Sequence, residues 1–369
     1  MAKVLLKDVV QRIKDKVDKD NTELEYYIGG EHFDYGEICI TKRGVIAGST
    51  IGPAFHMQFK TGDVLLMSRN PHLRKAGVVD FEGICSDVSY VCRTKDENVL
   101  LQRYLPFVFQ TDDFWNFAEQ NKHGSTNFFL NWSDFEKYEF ELPEIEEQKR
   151  LTELLWSAQD TKTAYQELLR QTDELVKSQF IEMFGDPILN TMNWDTKPIK
   201  EVAPEYTPSV PQQEKYWWLN LDMIESFSGN IIEKIIVPFN KIGSSTSAFD
   251  DTMVLYSKLR PYLNKVTIPT EYGYATTELV GLRPKIDIMR KEFLFSLLRG
   301  DEFVTYANNV SGGSQMPRMP MKNLREFQCI LPPIDLQDKY IDFVRQTDKS
   351  KYIWHNVLNT NCVGGECYA

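Results

Sequence analysis

The chain repeats itself, and this internal repeat limits the folds that it can adopt. Segment 65–93 returns without a gap as segment 255–283, and segment 112–148 returns as 301–337 after a shift of one residue. Both copies lead from a globular stretch into Leu-Pro and then into a helical pattern. The copies are far longer than the units of about 20–50 residues that build solenoids. We therefore expect two similar domains arranged as a pseudo-two-fold object.

Identical residues are spread over the whole length of each copy. In the first copy they are Pro71, Leu73, Lys75, Gly83, Arg93, Asp112, Phe114, Ala118, Gly124, Ser125, Leu142, Pro143 and Gln148, and their counterparts are Pro261, Leu263, Lys265, Gly273, Arg283, Asp301, Phe303, Ala307, Gly313, Ser314, Leu331, Pro332 and Gln337. A two-domain object of this kind suits a ligand that itself has two halves. Duplex DNA is the leading candidate for such a ligand.

Length and composition bound the class of protein. With 369 residues, of which 42% are hydrophobic, the chain can build two sizeable cores. It has no apolar run of about 18 residues, so we expect no membrane span. Its first residues lack the apolar stretch of a signal peptide, which predicts a cytoplasmic protein. The six cysteines form no CxxC pair and are expected to be free thiols.

The net charge of −11 argues at first sight against a nucleic-acid ligand. Phosphate binding, however, requires a local basic face rather than a basic total. An acidic chain can also bind DNA within a larger assembly whose partner adds cationic surface. The charge still lowers the DNA affinity that we expect of this chain alone.

The first domain is predicted at 1–142, with a mixed α/β fold. Apolar segments between polar or Gly/Pro breaks favour strands at 64–67, 76–79 and 88–91. Segment 98–121 has the spacing of apolar residues that is typical of a helix, with an expected break near Thr111.

A helix of roughly 40 residues, about 60 Å long, is predicted within the connecting segment 143–190. Pro143 and the acidic residues after it suit a helix N-terminus, and Gly185-Asp186-Pro187 is a strong stop signal. Apolar residues recur at alternating spacings of three and four, which is the pattern of a coiled coil. The predicted pairing residues are Leu151, Leu154, Ala158, Tyr165, Leu168 and Leu175.

The second domain is predicted at 191–331, and a second, shortened helix follows within 332–369. The pairing residues of that helix, at the corresponding positions, are Tyr340, Phe343, Trp354 and Val357. The expected architecture is two similar globular domains joined by long helices that form an antiparallel coiled coil. Ordinary core packing would explain such a stripe on a single helix, but here the stripe follows the same domain twice.

The sequence contains none of the catalytic motifs that we sought. It has no GxxxxGK[ST] phosphate loop, no HExxH zinc helix and no GxSxG nucleophile elbow. Asn70-Pro71-His72 and Asp186-Pro187-Ile188 lack the aromatic residue that would stack on a flipped base, and each is better explained as a turn or a helix stop. We therefore expect a non-catalytic chain with no metal ion and no cofactor of its own.

The junctions between domains and helices resemble those of a known family. Segment 142–151 reads LPEIEEQKRL, and the long helix after it ends in FIEMFGDP at 180–187. Together they resemble the first conserved region of type I restriction–modification specificity subunits. Segment 331–340 resembles the second conserved region, although it lacks the Glu-Glu-Gln of its counterpart and its helix is altered. The order of domains and helices is also that of the family, over nearly the whole chain.

The resemblance implies a function. In that family, each globular domain reads one half of a split DNA sequence, and the helices fix the spacing between the halves. Two methyltransferase subunits dock on this scaffold and methylate adenine with S-adenosylmethionine, and restriction subunits can join them. The resemblance thus implies that this non-catalytic chain binds double-stranded DNA and those subunits, with S-adenosylmethionine on the partner.

Candidate DNA contacts are polar residues of the predicted strand-to-turn segments and glycine loops, because base edges are read by fork-shaped donors and amides. They are Lys42, Arg43, Ser68, Arg69, Asn70, His72, Arg74, Lys75, Ser125, Thr126, Asn127, Lys258, Arg260, Tyr262, Asn264, Lys265, Ser314, Gln315 and Arg318. Lys75 and Lys265 suit phosphate contacts because they are identical in the two copies. Residues that differ suit the reading of two different half-sites, although drift on a surface loop would produce the same pattern.

Three alternatives remain open at this point. The first is a two-domain coiled-coil interaction protein without a DNA role, which the acidic charge favours. The second is a stand-alone enzyme, which the lack of catalytic motifs disfavours. The third is a truncated or silent specificity-subunit allele, which the altered C-terminal helix would explain.

Overall fold

The computed structural model of the chain describes residues 2–313 and 315–347, and its fold is mixed α/β, as predicted. The Cα positions divide into two compact units, and the division lies between Ala164 and Tyr165, inside a long helix. The domain limits at 142, 190 and 331 stay predictions.

The strands of the first unit form one two-stranded sheet and two four-stranded sheets. They are β1 (Ala2–Leu5), β2 (Val10–Ile13), β3 (Tyr26–Ile28), β4 (Gly44–Val45), β5 (Phe55–Phe59), β6 (Val64–Met67), β7 (Ala76–Val78), β8 (Gly83–Ser86), β9 (Ser89–Thr94) and β10 (Glu139–Leu142). The strand orders are β1-β10, β2-β9-β6-β7 and β4-β3-β8-β5.

The strands of the second unit repeat this arrangement with one strand fewer in one sheet. They are β11 (Thr196–Pro198), β12 (Lys215–Leu219), β13 (Ile235–Pro238), β14 (Thr246–Phe249), β15 (Val254–Ser257), β16 (Val266–Thr267), β17 (Gly273–Thr276), β18 (Leu279–Leu282) and β19 (Gln328–Ile330). The strand orders are β11-β19, β16-β15-β18 and β13-β12-β17-β14. The internal repeat of the sequence is therefore a repeat of topology.

Short helices and turns lie between the strands, and one long helix follows β10. The α-helices are α1 (Leu6–Val9), α2 (Leu105–Val108), α3 (Asp112–Gln120), α4 (Trp132–Phe135), α5 (Ile145–Phe184), α6 (Ile199–Val202), α7 (Lys291–Arg299), α8 (Asp301–Val310) and α9 (Met321–Glu326). The 3₁₀ turns are Gly30–His32, Pro71–Leu73, Leu221–Met223, Phe239–Lys241 and Pro261–Leu263. A further helix occupies 334–347.

The helix predicted at 98–121 is wrong in its first part. Residues 98–104 form turns, and the helical residues begin with α2. Pro106 in the first turn of α2 suits a helix start, because proline has no N–H to donate. The predicted break near Thr111 is confirmed: its hydroxyl accepts a hydrogen bond from Phe114 N at 3.3 Å and so caps α3.

Each unit buries both faces of its central strand. In β6, Leu66 belongs to one hydrophobic core and Leu65 to another. In β15, Tyr256 and Leu255 divide between two cores in the same way. Successive side chains of a strand point to opposite faces of the sheet. The continuous apolar runs Val-Leu-Leu-Met and Val-Leu-Tyr are therefore the signature of strands that are covered on both sides.

The repeated glycines Gly83 and Gly273 allow two parallel strands to approach closely. Gly83 lies beside Tyr26 where β8 pairs with β3, and Gly273 lies beside Trp217 where β17 pairs with β12. A Cβ on Gly83 would meet Tyr26 O at 2.5 Å, and one on Gly273 would meet Trp217 O at 2.6 Å. Since these neighbours are backbone atoms of a paired strand, moving them would disrupt the pairing of the two strands.

Gly83→Ala and Gly273→Ala are each expected to lower the free energy of unfolding by about 2–3 kcal/mol, because the added methyl group forces paired strands apart. Chemical denaturation of the purified variants measures the loss. Gly52→Ala and Gly243→Ala are the matched controls, because a Cβ at either position meets nothing within 4 Å. Equal stability of Gly83→Ala and Gly52→Ala would contradict the explanation.

The repeated Gln148 and Gln337 bind the start of the helix after each Leu-Pro junction to a turn nearly 50 residues earlier in the chain. Gln148 is fully buried; its Oε1 accepts from Leu101 N at 3.0 Å, and its Nε2 donates to Val99 O at 2.8 Å and Pro143 O at 2.9 Å. One side chain thus satisfies three backbone groups that burial would otherwise leave without partners.

Gln337 makes the same three bonds in the second unit. Its Oε1 accepts from Arg290 N at 2.9 Å, and its Nε2 donates to Ile288 O at 3.1 Å and Pro332 O at 2.9 Å. The glutamine of each Leu-Pro junction is therefore structural, and we refer to the two residues as the glutamine clamps.

Helix α5 has the predicted length and the predicted end. It ends at Phe184, and Gly185 after it adopts a φ of +73°, a left-handed conformation that suits glycine. Much of its predicted pairing stripe is exposed in this structure: Leu154, Leu168 and Leu175 are 59%, 43% and 51% exposed. Ala158 is exposed as well, while Leu151 and Tyr165 are half-buried.

The helix at 334–347 contacts α5 through Tyr340, one of its predicted pairing residues, but the partners on α5 lie beyond Leu175, the last predicted pairing residue there. The ring of Tyr340 lies 5.5 Å from that of Phe180 and 5.4 Å from that of Phe184, between ring centres. Tyr340 is buried, and Phe343 is half-buried. Trp354 and Val357 lie outside the described residues, so coiled-coil pairing along the stripe stays a prediction.

Candidate nucleic-acid interface

Each unit carries a strained turn directly after its central strand. In the first unit the turn is Asn70–Arg74, a 3₁₀ turn flanked by Asn70 at φ +51° and Arg74 at φ +46°. Left-handed φ is uncommon for residues other than glycine, and asparagine tolerates it better than arginine. We call this segment the first proline turn.

The second proline turn, 260–264, has the same conformation with the two end residues exchanged. Arg260 has a φ of +50° and Asn264 a φ of +48°. Strained backbone of this kind persists where the surrounding structure requires it, and it concentrates at functional sites. The polar residues of these segments are apparent in the sequence, whereas their shared backbone conformation is not.

The structure brings each proline turn together with the glycine loop of the same unit. Asn70 N donates to Phe128 O at 2.9 Å, and Arg69 forms a β-bridge with Phe129. In the second unit, Arg260 N donates to Pro317 O at 2.7 Å. The two groups of candidate residues that the sequence placed about 50 residues apart therefore form one surface in each unit.

The exposed members of this surface are side chains with donors and acceptors. In the first unit they are Arg69, His72, Ser125, Thr126 and Asn127, and in the second they are Tyr262, Gln315 and Arg318. Asn70, Lys258 and Arg260 are half-buried, and Ser314 lies outside the described residues. Side chains of these types can reach base edges and phosphates.

Arg260 differs from the other arginines of this surface. Its Nε is buried and has no hydrogen-bond partner among the described residues. A buried donor without a partner costs about 1–3 kcal/mol. Arg74, by contrast, donates to Asp112 at 2.5 Å, and Arg318 donates to Glu278 at 3.0 Å. The structure therefore makes Arg260 the strongest candidate for contact with a ligand.

Lys75 and Lys265 have a structural reason to be identical. Lys75 Nζ donates to Gly30 O, and Lys265 Nζ donates to Leu221 O, both at 2.6 Å. Both side chains are half-buried, and burial lowers the pKa of Lys265. Each lysine ties its proline turn to a 3₁₀ turn of the same unit. Both lysines therefore have a structural role in their turns.

Ser68 and Asn264 are also bound within their own units. Ser68 is buried, and its backbone bonds with Val88 O and Leu130 N. Asn264 is buried, and its Nδ2 donates to Arg299 O at 2.8 Å. Neither side chain is exposed enough to read a base edge in this conformation.

Lys42 and Arg43 lie on the loop directly before β4. Lys42 pairs with Asp34 at 2.6 Å. Arg43 covers the ring of Tyr26 at 4.1 Å, and Lys234 covers the ring of Trp217 at 5.0 Å at the corresponding place in the second unit. A cation over an aromatic ring contributes to packing, which explains the repeated position.

Lys265→Met is expected to lower the free energy of unfolding by about 1–2 kcal/mol, because Leu221 O loses its charged donor. The salt dependence of DNA binding should stay unchanged. Lys258→Met is the matched comparison, because Lys258 adjoins the second proline turn and remains a candidate contact; it should lower the salt slope of binding by about one. Denaturation and salt titration measure the two effects. A lower salt slope for Lys265→Met would return that residue to the contact surface.

Sequence reasoning missed two exposed aromatic residues beside the proline turns, Tyr35 and Phe227. An isolated aromatic residue in a loop belongs to no periodic pattern, so only the structure reveals its position. Among the described residues, no group of three or more His, Cys, Asp or Glu side chains is placed to hold a metal ion. None of the described helices is both long and apolar enough to cross a membrane.

Comparison with known proteins connects the chain to one family. It is 24% identical over 270 residues to the type I restriction enzyme EcoDI specificity subunit of Escherichia coli, which covers 62% of this chain. The matched part spans 59% of that relative's length. None of the protein-family models searched matches the chain.

Two solved structures align over nearly the whole chain. The type I restriction–modification S subunit from M. genitalium shares 11% identity, covers 98% of this chain and 93% of its own, and gives a TM-score of 0.58, which shows a common fold. The HsdS subunit from Thermoanaerobacter tengcongensis shares 16% identity and covers 97% of this chain and 91% of its own, with a TM-score of 0.38. By its sequence match to the E. coli subunit and by the fold that it shares with the M. genitalium one, the chain is similar to type I restriction–modification specificity subunits.

Proposed function

We propose that this chain is the DNA-recognition subunit of a type I restriction–modification complex. Each unit reads one half of a bipartite DNA site through its proline turn and glycine loop. The chain is non-catalytic and cytoplasmic, and it also scaffolds two methyltransferase subunits, with restriction subunits as further partners. S-adenosylmethionine binds to the methyltransferase subunits.

The observation that carries this proposal is the second proline turn. Arg260 is held in a strained backbone conformation, and its buried Nε has no partner among the described residues. A guanidinium group binds the O6 and N7 atoms of guanine in a bidentate manner, which is a common specific contact in the major groove. Because Nε is buried, this contact requires the half-buried side chain to turn toward the DNA, where a guanine would supply the acceptor that Nε lacks.

The two units also differ in the exposed side chains of their proline turns, as expected of two domains that bind different half-sites. The scaffold of the proline turns is the same, because Pro71 and Leu73 correspond to Pro261 and Leu263. Between these scaffold residues, the exposed side chain is histidine in one unit and tyrosine in the other. A shared backbone with different exposed side chains suits the reading of two different half-sites.

The acidic charge of the chain is compatible with this role within a complex. Contacts with phosphates supply most of the sequence-independent affinity for DNA. Partner subunits with cationic surfaces can supply that affinity, while this chain supplies the base contacts. We therefore expect weak DNA binding by the isolated chain and strong binding by the complex.

The test is co-expression with a type I methyltransferase subunit from the same genome, followed by single-molecule sequencing of host DNA for methyladenine. A split motif of two short half-sites that disappears when this chain is deleted would support the proposal. A stable complex without any motif would indicate a silent allele. The absence of both a motif and a complex would favour the interaction protein without a DNA role.

A further inference from the structure

Phe227 combines three properties that ordinary surface residues do not share. It has a φ of +69°, it is 64% exposed, and it adjoins the second proline turn, since its N–H donates to Leu263 O at 3.1 Å. A left-handed φ at a bulky residue is a genuine outlier. Single exposed apolar residues are normal, but strain together with exposure is not.

The first unit shows that the fold does not require a phenylalanine here. Lys75 and Lys265 bind Gly30 O and Leu221 O, and this contact aligns the two loops so that Gly36 corresponds to Phe227. Gly36 has a φ of +65°, and its N–H donates to Arg74 O at 3.4 Å. Glycine satisfies the same conformation without strain.

The first unit nevertheless exposes an aromatic ring at the same place. Tyr35, which precedes Gly36, is 63% exposed. The guanidinium group of Arg74 lies 5.9 Å from the centre of its ring. Each unit therefore places one exposed ring beside its proline turn. In the second unit the ring belongs to the residue with the left-handed φ, and in the first unit it belongs to the residue before it.

The loop that carries Phe227 is held in place on both sides. Arg299 Nη2 donates to Phe227 O, Gly229 N donates to Glu225 O at 3.2 Å, and Asn230 N donates to Ser228 Oγ at 3.1 Å. A Cβ on Gly229 would lie 1.9 Å from Val266 O, so the loop is packed tightly against the sheet. A ring on such a loop is preorganised, which lowers the entropy cost of binding.

We propose that Phe227 inserts its ring at a base step of the second half-site, beside the base pair that Arg260 contacts, and that Tyr35 does the same in the first half-site. Minor-groove binders insert apolar side chains between base steps, which unstacks the bases and bends the duplex; here the ring would enter from the major-groove side, where Arg260 is proposed to lie. Recognition then includes the ease with which a step unstacks, which pyrimidine–purine steps favour. This inference rests on the proposed function, because it assigns a contact to the same surface.

The variant Phe227→Gly separates a binding role from a structural one. Glycine relieves the strain, so the denaturation midpoint should stay equal or rise. DNA binding should fall by roughly tenfold, because the inserted ring is lost. A residue with a structural role would show the opposite combination.

The experiment uses the full chain co-purified with its methyltransferase partner and a fluorescein-labelled duplex that carries the motif found by methyladenine sequencing. Fluorescence anisotropy gives the Kd for the labelled duplex of the complex with the wild-type chain and of the complexes with Phe227→Gly, Phe227→Trp and Ile286→Ser. Tryptophan should restore binding because it can also stack. Ile286 is the matched control: it is 68% exposed and precedes the N-terminus of α7, whereas Arg299, which holds Phe227, ends that helix.

A second readout locates the insertion. Duplexes carry 2-aminopurine at successive positions of the second half-site. The fluorescence of 2-aminopurine should increase at one step with the complex of the wild-type chain and at none with the Phe227→Gly complex. An unchanged Kd for Phe227→Gly, or an equal loss for Ile286→Ser, would overturn the inference and leave the proposed function standing. If the complex with the wild-type chain does not bind the duplex specifically, the proposed function and this inference are both overturned.

Discussion

Arg260→Asn is expected to abolish the preference for one base pair in one half-site, a loss of about 1–3 kcal/mol in discrimination. Asparagine is the residue that the first proline turn has at this position, and it tolerates the left-handed conformation. The variant should therefore fold at least as stably as the parent chain. The proposed bidentate contact between the guanidinium group and guanine is lost, while the conformation of the turn is retained.

Methyladenine sequencing of cells that carry this variant measures the outcome directly. The second half-site should become degenerate at one position, while the first half-site stays unchanged. Adenine at the relaxed position would indicate that the introduced asparagine reads it through its amide, as asparagine does in the major groove. An unchanged motif would show that Arg260 does not contact a base.

Arg74→Asn is the matched control for this experiment. It makes the same change at the other strained position of the first proline turn, where the arginine is paired with Asp112. The ion pair is exposed at Asp112 and half-buried at Arg74, so its loss should cost about 1 kcal/mol. The methylated motif should stay unchanged, because this guanidinium group already has its partner.

Gln148→Met and Gln337→Met are each expected to lower the free energy of unfolding of their unit by about 3 kcal/mol or more. Methionine has nearly the shape of glutamine but cannot replace its hydrogen bonds. Each substitution leaves one backbone N–H and two carbonyls without the partner that the clamp supplied. Unsatisfied buried groups cost about 1–3 kcal/mol each, and partial relaxation reduces the sum.

Chemical denaturation of the two variants, followed by far-ultraviolet circular dichroism, measures this loss. Gln171→Met is the control, because Gln171 is exposed on α5 and donates only to Glu167 Oε1. It should change stability by less than about 0.5 kcal/mol. A clamp variant as stable as this control would mean that water replaces the lost bonds and that the clamps contribute little.

The glutamine clamps also explain why the sequence resemblance is concentrated at the junctions. Leu-Pro followed by glutamine encodes a connection between a domain and a helix, and under the proposed function this connection would not depend on the DNA sequence that the domain reads. The residues of the proline turns and glycine loops are free to differ within the same scaffold. Repeated residues of this chain are therefore mainly structural, as Gly83, Gly273, Lys75 and Lys265 illustrate.

Much of the fold could be predicted because its signals are local or periodic. The central strand Val64–Met67, the end of α5 at Gly185 and the cap at Thr111 follow from the apolar runs, turn residues and capping residues around them. Of these three signals, the repeat doubles that of the central strand, which returns as Val254–Ser257. The helix at 98–104 was predicted wrongly because the spacing of apolar residues alone does not distinguish a helix from packed turns.

The functional surface could be predicted only in outline. The sequence indicated which segments are polar. Lys75 and Asn264, however, donate hydrogen bonds to backbone carbonyls 45 and 35 residues away, and these bonds hold both side chains within their own unit. Arg260 and Phe227 stand out because of a backbone conformation that no local pattern encodes. Sequence periodicity reports which side chains are buried and where the chain turns. Whether a polar group is left without a partner depends on distant segments, because hydrogen bonds of a few ångströms form only after the chain has packed.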